Sequence, residues 1–328
     1  MTTRRLGSGG AVVGPIGLGC MGMSEFYEPV AERDAIATIH RALDLGMTLI
    51  DTSDMYGIGE NERLVGRALR GRRESAVLSS KTGIVRRADD PAFRAVDGRP
   101  EYVRAACDAS LGRLGVDHLD LYYVHRVDPK VPIEETVGAL AELVAAGKVR
   151  AIGLSEAAPE TLRRAAAVAP IAALQSEYSL FTRDIEGNDV RATARKLGIT
   201  LVAYAPLGRG ILTGAVRSTA SLAPNDLRRR IPRFDEDNFD HNLQLVDALG
   251  AIARDAGCTP AQLALAWVLA QGEDVIALPG CERVAHVEEN AAAARVRLDP
   301  QLMVLIEALV PPGSAAGARL RDQRFIHR

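Results

Sequence analysis

An aspartate, a tyrosine, a lysine and a histidine stand in patterns that suit one reaction. Asp51 and Tyr56 lie in Asp51-Thr-Ser-Asp-Met-Tyr56-Gly, Lys81 in Ser79-Ser-Lys81-Thr, and His125 in Tyr122-Tyr-Val-His125-Arg. A carboxylate beside a lysine keeps the ammonium charged and oriented. An ammonium beside a phenol favours the phenolate and so lowers the phenol pKa. A histidine fixes or shares the proton. Together the four would make Tyr56 a general acid able to protonate a carbonyl oxygen near neutral pH. Taken singly, each has a plainer reading: a loop cap, a partly buried aromatic, a solvated strand end, a satisfied core histidine. The combination is informative because each follows an apolar, β-rich run.

Eight such runs recur: Ile16–Cys20, Thr48–Ile50, Ala76–Ser80, Leu119–Val124, Val149–Gly153, Ala172–Gln175, Thr200–Tyr204 and Val275–Leu278. Stretches of helical period separate them, such as Ala31–Leu45 with Ala35, Ile36, Ile39, Ala42 and Leu43 on one face. Gly46, Gly115 and Gly147 close helical runs, where a left-handed residue is needed. Thr259-Pro260 and Asp299-Pro300 read as helix starts. Strictly alternating strands and helices imply a parallel sheet, and eight strands favour a closed (β/α)8 TIM barrel. Its strand C-termini share one rim, so Asp51, Tyr56, Lys81 and His125 converge there. Residues 1–15, rich in glycine, suit an N-terminal β-hairpin. Asp299-Pro300 opens an extra C-terminal helix. No linker divides the chain, so residues 1–328 are expected to form a single domain, with 313–328 a loosely held tail. Two irregular stretches, Arg86–Arg99 and Thr213–Phe239, follow strands and belong on the functional rim. Within the second, Arg228-Arg-Arg-Ile-Pro-Arg233 reads first as a solvated loop face and second as a lid.

The 328 residues carry 40 basic and 42 acidic side chains, a net charge of −2, with 47% hydrophobic content. That balance excludes disorder as the main state and argues against nucleic-acid or anionic-membrane partners. The four cysteines show no CxxC spacing, which excludes a zinc ribbon and fits a reducing compartment. With no apolar N-terminal run, a cytoplasmic protein is expected. His40, His118, His241 and His327 lack ligand spacing, so no metal is expected.

Gly17-Leu-Gly19-Cys-Met-Gly22 imitates the dinucleotide fingerprint of a Rossmann fold. There the third glycine opens the helix, so that the helix N-terminus faces the pyrophosphate. Here Met23–Val30 intervene, and Asp51 falls roughly ten residues beyond the usual acidic position. A Rossmann domain is therefore rejected.

Over about residues 3–312 the chain resembles the aldo-keto reductase superfamily. The resemblance rests on the Gly17–Gly22 segment, Asp51–Gly57, Lys81, His125, Gly147-Lys-Val-Arg-Ala-Ile-Gly-Leu-Ser155, Gln175-Ser-Glu-Tyr178, Tyr204-Ala-Pro-Leu-Gly-Arg-Gly210 and Pro279-Gly280 through Glu289-Asn290, in that order. It is most similar to the bacterial branch with His-Arg-Val-Asp-Pro after strand four. The resemblance implies a barrel closed below by a hairpin, the tetrad Asp51, Tyr56, Lys81 and His125, and NADPH extended across the rim. It implies that Ser155 and Gln175 hold the nicotinamide carboxamide and that Tyr204 stacks on the ring. It implies that the backbones of Gly19, Cys20 and Met21 contact the cofactor, with those of Leu207, Gly208 and Gly210 at the pyrophosphate. Gly280, Cys281, Arg283, Glu289 and Asn290 align with the adenosine-phosphate end, where a guanidinium would favour NADP over NAD. The family usually has asparagine after this serine; here Glu156 removes one carboxamide donor. Phe26, Tyr27, Met55 and Arg126 are expected to border the pocket of a small carbonyl substrate. The implied activity is reduction of aldehydes or ketones; the alternative is a nucleotide-sensing subunit that keeps the fold.

Overall fold

The computed structural model describes residues 3–90 and 93–326, so two positions of the Arg86–Arg99 stretch and His327 lie outside it. Eight parallel strands follow in sequence around one sheet: β1 (Leu18–Gly19), β2 (Leu49–Asp51), β3 (Val77–Thr82), β4 (Leu121–Val124), β5 (Ile152–Ser155), β6 (Ile171–Glu177), β7 (Thr200–Tyr204) and β8 (Val275–Leu278). Parallel bridges Ile16↔Ala277 and Gly19↔Gly280 join the first strand to the last and close the barrel. The helices α1 (Glu32–Asp44), α2 (Glu60–Ala68), α3 (Pro100–Leu114), α4 (Ile133–Ala145), α5 (Pro159–Val168), α6 (Val190–Lys196), α7 (Glu236–Asp255), α8 (Pro260–Ala270) and α9 (Val284–Ala292) surround it, followed by α10 (Pro300–Leu309). The (β/α)8 barrel expected from the strand count is thus the fold.

Strand alternation divides the apolar side chains between two cores. Ile50, Tyr122, Val124, Leu174, Leu201 and Ala203 face the helices. Leu49, Leu121, Tyr123, Ala173, Val202 and Ile276 face the barrel axis. The hairpin pairs Arg4–Arg5 with Val12–Val13, and its Leu6 and Val13 plug the axial core from below. Gly153 makes room for the Tyr123 ring: a Cβ there would lie 2.3 Å from the ring. Filling the axis with side chains leaves the opposite rim as the face open to a ligand.

The expected helix starts hold. Thr259 accepts from the Gln262 amide at 3.2 Å while Gln262 reaches back to the Thr259 amide, a reciprocal cap on α8. Asp299 accepts from the Leu302 amide at 2.8 Å and caps α10. The tail expected to be loosely held has no helix or strand as far as residue 326, yet it is anchored. Arg319 is 3% exposed and forms a buried ion pair with Glu156. No helix among the described residues is long and apolar enough to cross a membrane.

Candidate active site

Strand ends bring the key side chains to one rim. Asp51 ends β2, Lys81 is the penultimate residue of β3, His125 follows β4, Ser155 ends β5, Gln175 lies within β6, and Tyr204 ends β7. Tyr56 is carried on a helical turn after β2, where its amide donates to Ser53 O at 3.2 Å. Gly57, Ile58 and Gly59 then run left-handed, with φ of 56°, 54° and 88°. A Cβ on Gly59 would come within 2.6 Å of Arg113. The turn is tied down from outside by Asn61, which donates to Cys20 O and to Ser24 Oγ, each at 2.8 Å.

The tetrad residues meet. Lys81 is fully buried, forms a very short ion pair with Asp51, and donates to Thr52 O at 2.8 Å and to the Tyr56 hydroxyl at 3.4 Å. The His125 ring meets the Tyr56 ring edge-on, with centroids 5.8 Å apart. Burial alone lowers the Lys81 pKa, but Asp51 and then Tyr56 more than offset it, leaving the ammonium held above its ordinary value. For Tyr56 the sequence-based expectation of a lowered pKa is corrected. Burial raises it, and Lys81, although it pulls the other way, does not overcome that. The phenol therefore keeps its proton through neutral pH. Burial, with the charges of Lys81 and Arg126, drives His125 well below the usual imidazole range, so it is neutral.

A cleft of about 1020 Å³ opens over this rim. Asp51, Tyr56 and His125 line it, and Lys81 stands behind them. Phe26, Tyr27, Met55 and Arg126 line it as well. So do Gly19, Met21, Ser155, Gln175, Tyr204, Leu207, Gly210, Gly280, Arg283, Glu289 and Asn290. Three residues of the expected cofactor set do not face it. Cys20 and Cys281 are buried, and Gly208 lies beneath Ile211. The amides of Gly208 and Gly210 are donated within their own turns, to Ala205 O and Leu207 O, and that of Cys20 to Asp51 O. Of these, Gly210 can offer close approach of bare backbone to the cleft, but all three N–H groups are already committed.

Two polar contacts shape the middle of the cleft. Arg126 donates from Nη1 to His125 O at 2.6 Å and to Ser155 Oγ at 3.0 Å. Gln175 donates to Asp51 Oδ2 at 3.0 Å.

The position after Ser155 serves the fold instead of the cleft. Glu156 is fully buried and turns away from the cleft. It receives both terminal nitrogens of Arg319 at 2.9 Å, the Tyr204 hydroxyl at 2.9 Å and the Glu177 amide at 3.0 Å. Burial alone would raise its pKa; Arg319 and Arg126 outweigh that and hold it below the usual carboxylate range. Neighbouring Glu177 accepts from Arg209 at 2.9 Å and from Thr182 at 2.9 Å. This charged cluster was not foreseen.

The basic run also divides differently from either expectation. Arg229 and Arg230 are exposed, as a solvated loop face would be. Arg228 pairs with Asp226 at 2.6 Å and lies 5.2 Å over the Tyr27 ring in the cleft wall. Arg233 is buried and donates to Phe181 O at 2.6 Å. Alternating sides on an irregular segment carry no sequence period that could announce this.

Comparison with known proteins agrees with the architecture. The sequence model of the Aldo/keto reductase family matches residues 15–311. A probable aldo-keto reductase 1 from Glycine max is 45% identical over 317 residues, 96% of this chain and 90% of that protein. The Schizosaccharomyces pombe aldo-keto reductase yakc, designated NADP(+), is 44% identical over 321 residues, 97% of this chain and 94% of its own length. Among solved structures, a glycerol dehydrogenase from Gluconobacter oxydans superposes with a TM-score of 0.86 at 32% identity, covering 94% of each chain. An aldo-keto reductase from Klebsiella pneumoniae in complex with NADPH gives 0.76 at 30% identity, covering 98% of this chain and all of that one. With a barrel closed strand by strand and a family match across nearly its whole length, the chain belongs to the aldo/keto reductase family.

Proposed function

We propose that the protein is an NADPH-dependent reductase of aldehydes or ketones, with Tyr56 as proton donor. The observation that carries this reading is the Tyr56 hydroxyl 3.4 Å from the Lys81 ammonium, beside the His125 ring, in the floor of the large cleft. The Tyr56 oxygen accepts from Lys81, so its own O–H is left to donate to a ligand.

The residues present fit a dinucleotide. Where β1 meets β8, Gly19 and Gly280 bare the cleft wall, and a Cβ on Gly280 would find only Gly19 O at 3.9 Å. Arg283 stands exposed at the N-cap of α9, where a guanidinium and a helix N-terminus both favour phosphate. Ser155 and Gln175 are the candidate anchors for a carboxamide, and Tyr204 is the candidate stacking surface. The NADP(+) designation of the yeast relative and the NADPH complex of the Klebsiella structure support the same cofactor. Bound there, NADPH supplies a hydride from its nicotinamide C4. The chain's own part is to place the carbonyl oxygen between Tyr56 and His125. His125 orients that oxygen, Tyr56 delivers its proton, and charged Lys81, held by Asp51, offsets the negative charge that develops on the phenol. The apolar residues Phe26 and Met55 suit an aldehyde or ketone without selecting one.

The test is NADPH consumption with a panel of aldehydes. Turnover of several substrates, with kcat/KM for NADPH above that for NADH, is the expected result. Tight NADPH binding with no consumption across the panel would instead support a nucleotide sensor. Tyr56→Phe is expected to lower kcat on the order of 10²- to 10⁴-fold and to leave NADPH affinity near wild type.

A further inference from the structure

His125 does not stand alone behind the cleft. Its Nδ1 lies 3.1 Å from Ser53 Oγ, and the same oxygen lies 3.1 Å from Asp54 Oδ1 and 3.3 Å from the Met55 amide. A serine hydroxyl has one proton to give and two lone pairs to receive. With the Met55 amide taking one lone pair, the hydroxyl can either donate to His125 Nδ1 or accept from Nδ1–H, and these two choices impose opposite tautomers on the imidazole. A neutral Asp54 can donate its O–H to Ser53 Oγ, which leaves Ser53 to donate to His125 Nδ1. The ring proton then sits on Nε2, the nitrogen left for a ligand. If Asp54 is ionised, Ser53 donates to the carboxylate and accepts from Nδ1–H. Nε2 is then a bare acceptor.

Only the first arrangement lets His125 donate a hydrogen bond to a carbonyl oxygen. We infer that Ser53 and Asp54 are positioning residues that set the His125 tautomer, with neutral Asp54 presenting Nε2–H for carbonyl reduction. This rests on the reading of His125 as the group that orients the carbonyl. No proton is gained or lost by the pair Ser53–His125 in the exchange; the proton that leaves is that of Asp54.

The surroundings of Asp54 favour the neutral form. The residue is half-buried beneath the rim. Burial of its carboxyl, with the Glu62 carboxylate nearby, pushes the pKa up to about 8, against the lesser pull of Ser53, Arg113 and the Met55 amide. Glu62 in turn accepts from Arg113 at 2.6 Å and from Ser80 at 2.5 Å. Tyr102 and Tyr122, also beside Asp54, are both held above the ordinary phenol value, chiefly by burial, and stay neutral. On the imidazole side the facing charges are Lys81 and Arg126, with the Tyr56 ring against its edge. Burial, with those cations, keeps the ring neutral, so the variable is which nitrogen bears the proton rather than how many protons it carries.

The test is nitrogen NMR of the full-length protein labelled in its six histidines, with NADP⁺ bound and His125 assigned by difference from His125→Gln. Wild type is expected to show protonated Nε2 at pH 6 and to cross to protonated Nδ1 as the pH rises through about 8. Asp54→Asn keeps a permanent donor to Ser53 and is expected to hold the Nε2–H form throughout. In Ser53→Ala the tautomer is expected not to follow pH. A wild-type ring already protonated on Nδ1 at pH 6, or a crossing unchanged in Asp54→Asn, would overturn the inference. Reductive kcat is expected to fall up to about tenfold per pH unit above the crossing in wild type, and not in Asp54→Asn, with KM for NADPH unchanged. A crossing seen by NMR without that fall would leave the relay standing and remove His125 from its orienting role.

Discussion

Tyr56 and Tyr204 stand at the same rim, both line the cleft, and both are held above the ordinary phenol pKa, chiefly by burial. Neither their burial nor the direction of their shift tells them apart. Their hydrogen bonds do. Tyr56 accepts from the Lys81 ammonium, so its own proton is uncommitted by that contact. Tyr204 donates its proton to Glu156, a carboxylate already saturated by Arg319 and the Glu177 amide. One phenol is set beside a cation to give a proton away; the other has spent its proton on holding its ring in place. A buried, shifted tyrosine is a proton-donor candidate only where its partner is itself a donor.

The largest effect that would sharpen this contrast comes from Lys81→Met. It leaves Asp51 buried without its cation, which costs about 3–5 kcal/mol, and it removes the ammonium that hydrogen-bonds the Tyr56 hydroxyl. Reductive kcat is expected to fall at least as far as in Tyr56→Phe, with a clear drop in the denaturation midpoint. Near-normal turnover would show that the phenol needs no ammonium.

Arg319→Leu applies the same cut to the other cluster, stranding buried Glu156 at a cost of about 3–5 kcal/mol. Here the loss is expected in stability and in KM for NADPH, through a loosened Tyr204 ring, while kcat stays within about threefold. A large fall in kcat with unchanged stability would merge the two clusters into one machine.

These two clusters also mark how far the sequence could be read. Asp51, Tyr56, Lys81 and His125 were legible because each lies at or just after the end of a strand, and parallel strands in a barrel deliver their ends to one rim. Glu156 could be seen as a departure from the family, but not explained. Its partner Arg319 lies 163 positions away in a segment without helix or strand, where no periodicity links them. The glycines near the cofactor groove were legible as glycines. That the Gly208 and Gly210 amides are spent inside their own turns is a matter of dihedral angles. The Tyr56 pKa was misjudged because spacing reveals a neighbouring charge but not the depth of burial that outweighs it.

Acid titration gives a smaller, signed distinction. The folded Glu156 pKa is depressed, so its pair contributes stability that is present above the ordinary glutamate value of 4.5 and is lost as pH falls through the lower folded value. Wild type is therefore expected to lose stability on acidification below about pH 4.5 more steeply than Glu156→Gln. Parallel acid-unfolding curves would contradict the pairing.

The smallest effect on catalysis belongs to the cleft wall. Arg228→Met removes the cation over Tyr27, worth about 0.5–1 kcal/mol, and also the ion-pair partner of buried Asp226, so stability falls as well. KM for substrate is expected to shift by no more than about fivefold, with kcat unchanged. A collapse of kcat would instead make this segment part of the proton-delivery apparatus.

The most direct measurement is a single-turnover reduction of a saturating aldehyde by Tyr56→Phe and Tyr204→Phe, each preloaded with NADPH and followed at the nicotinamide absorbance. Tyr204→Phe is expected within about fivefold of wild type, and Tyr56→Phe slower on the order of 10²-fold or more. Two variants slowed alike, or a Tyr56→Phe enzyme at wild-type speed, would contradict the assignment of the proton to Tyr56.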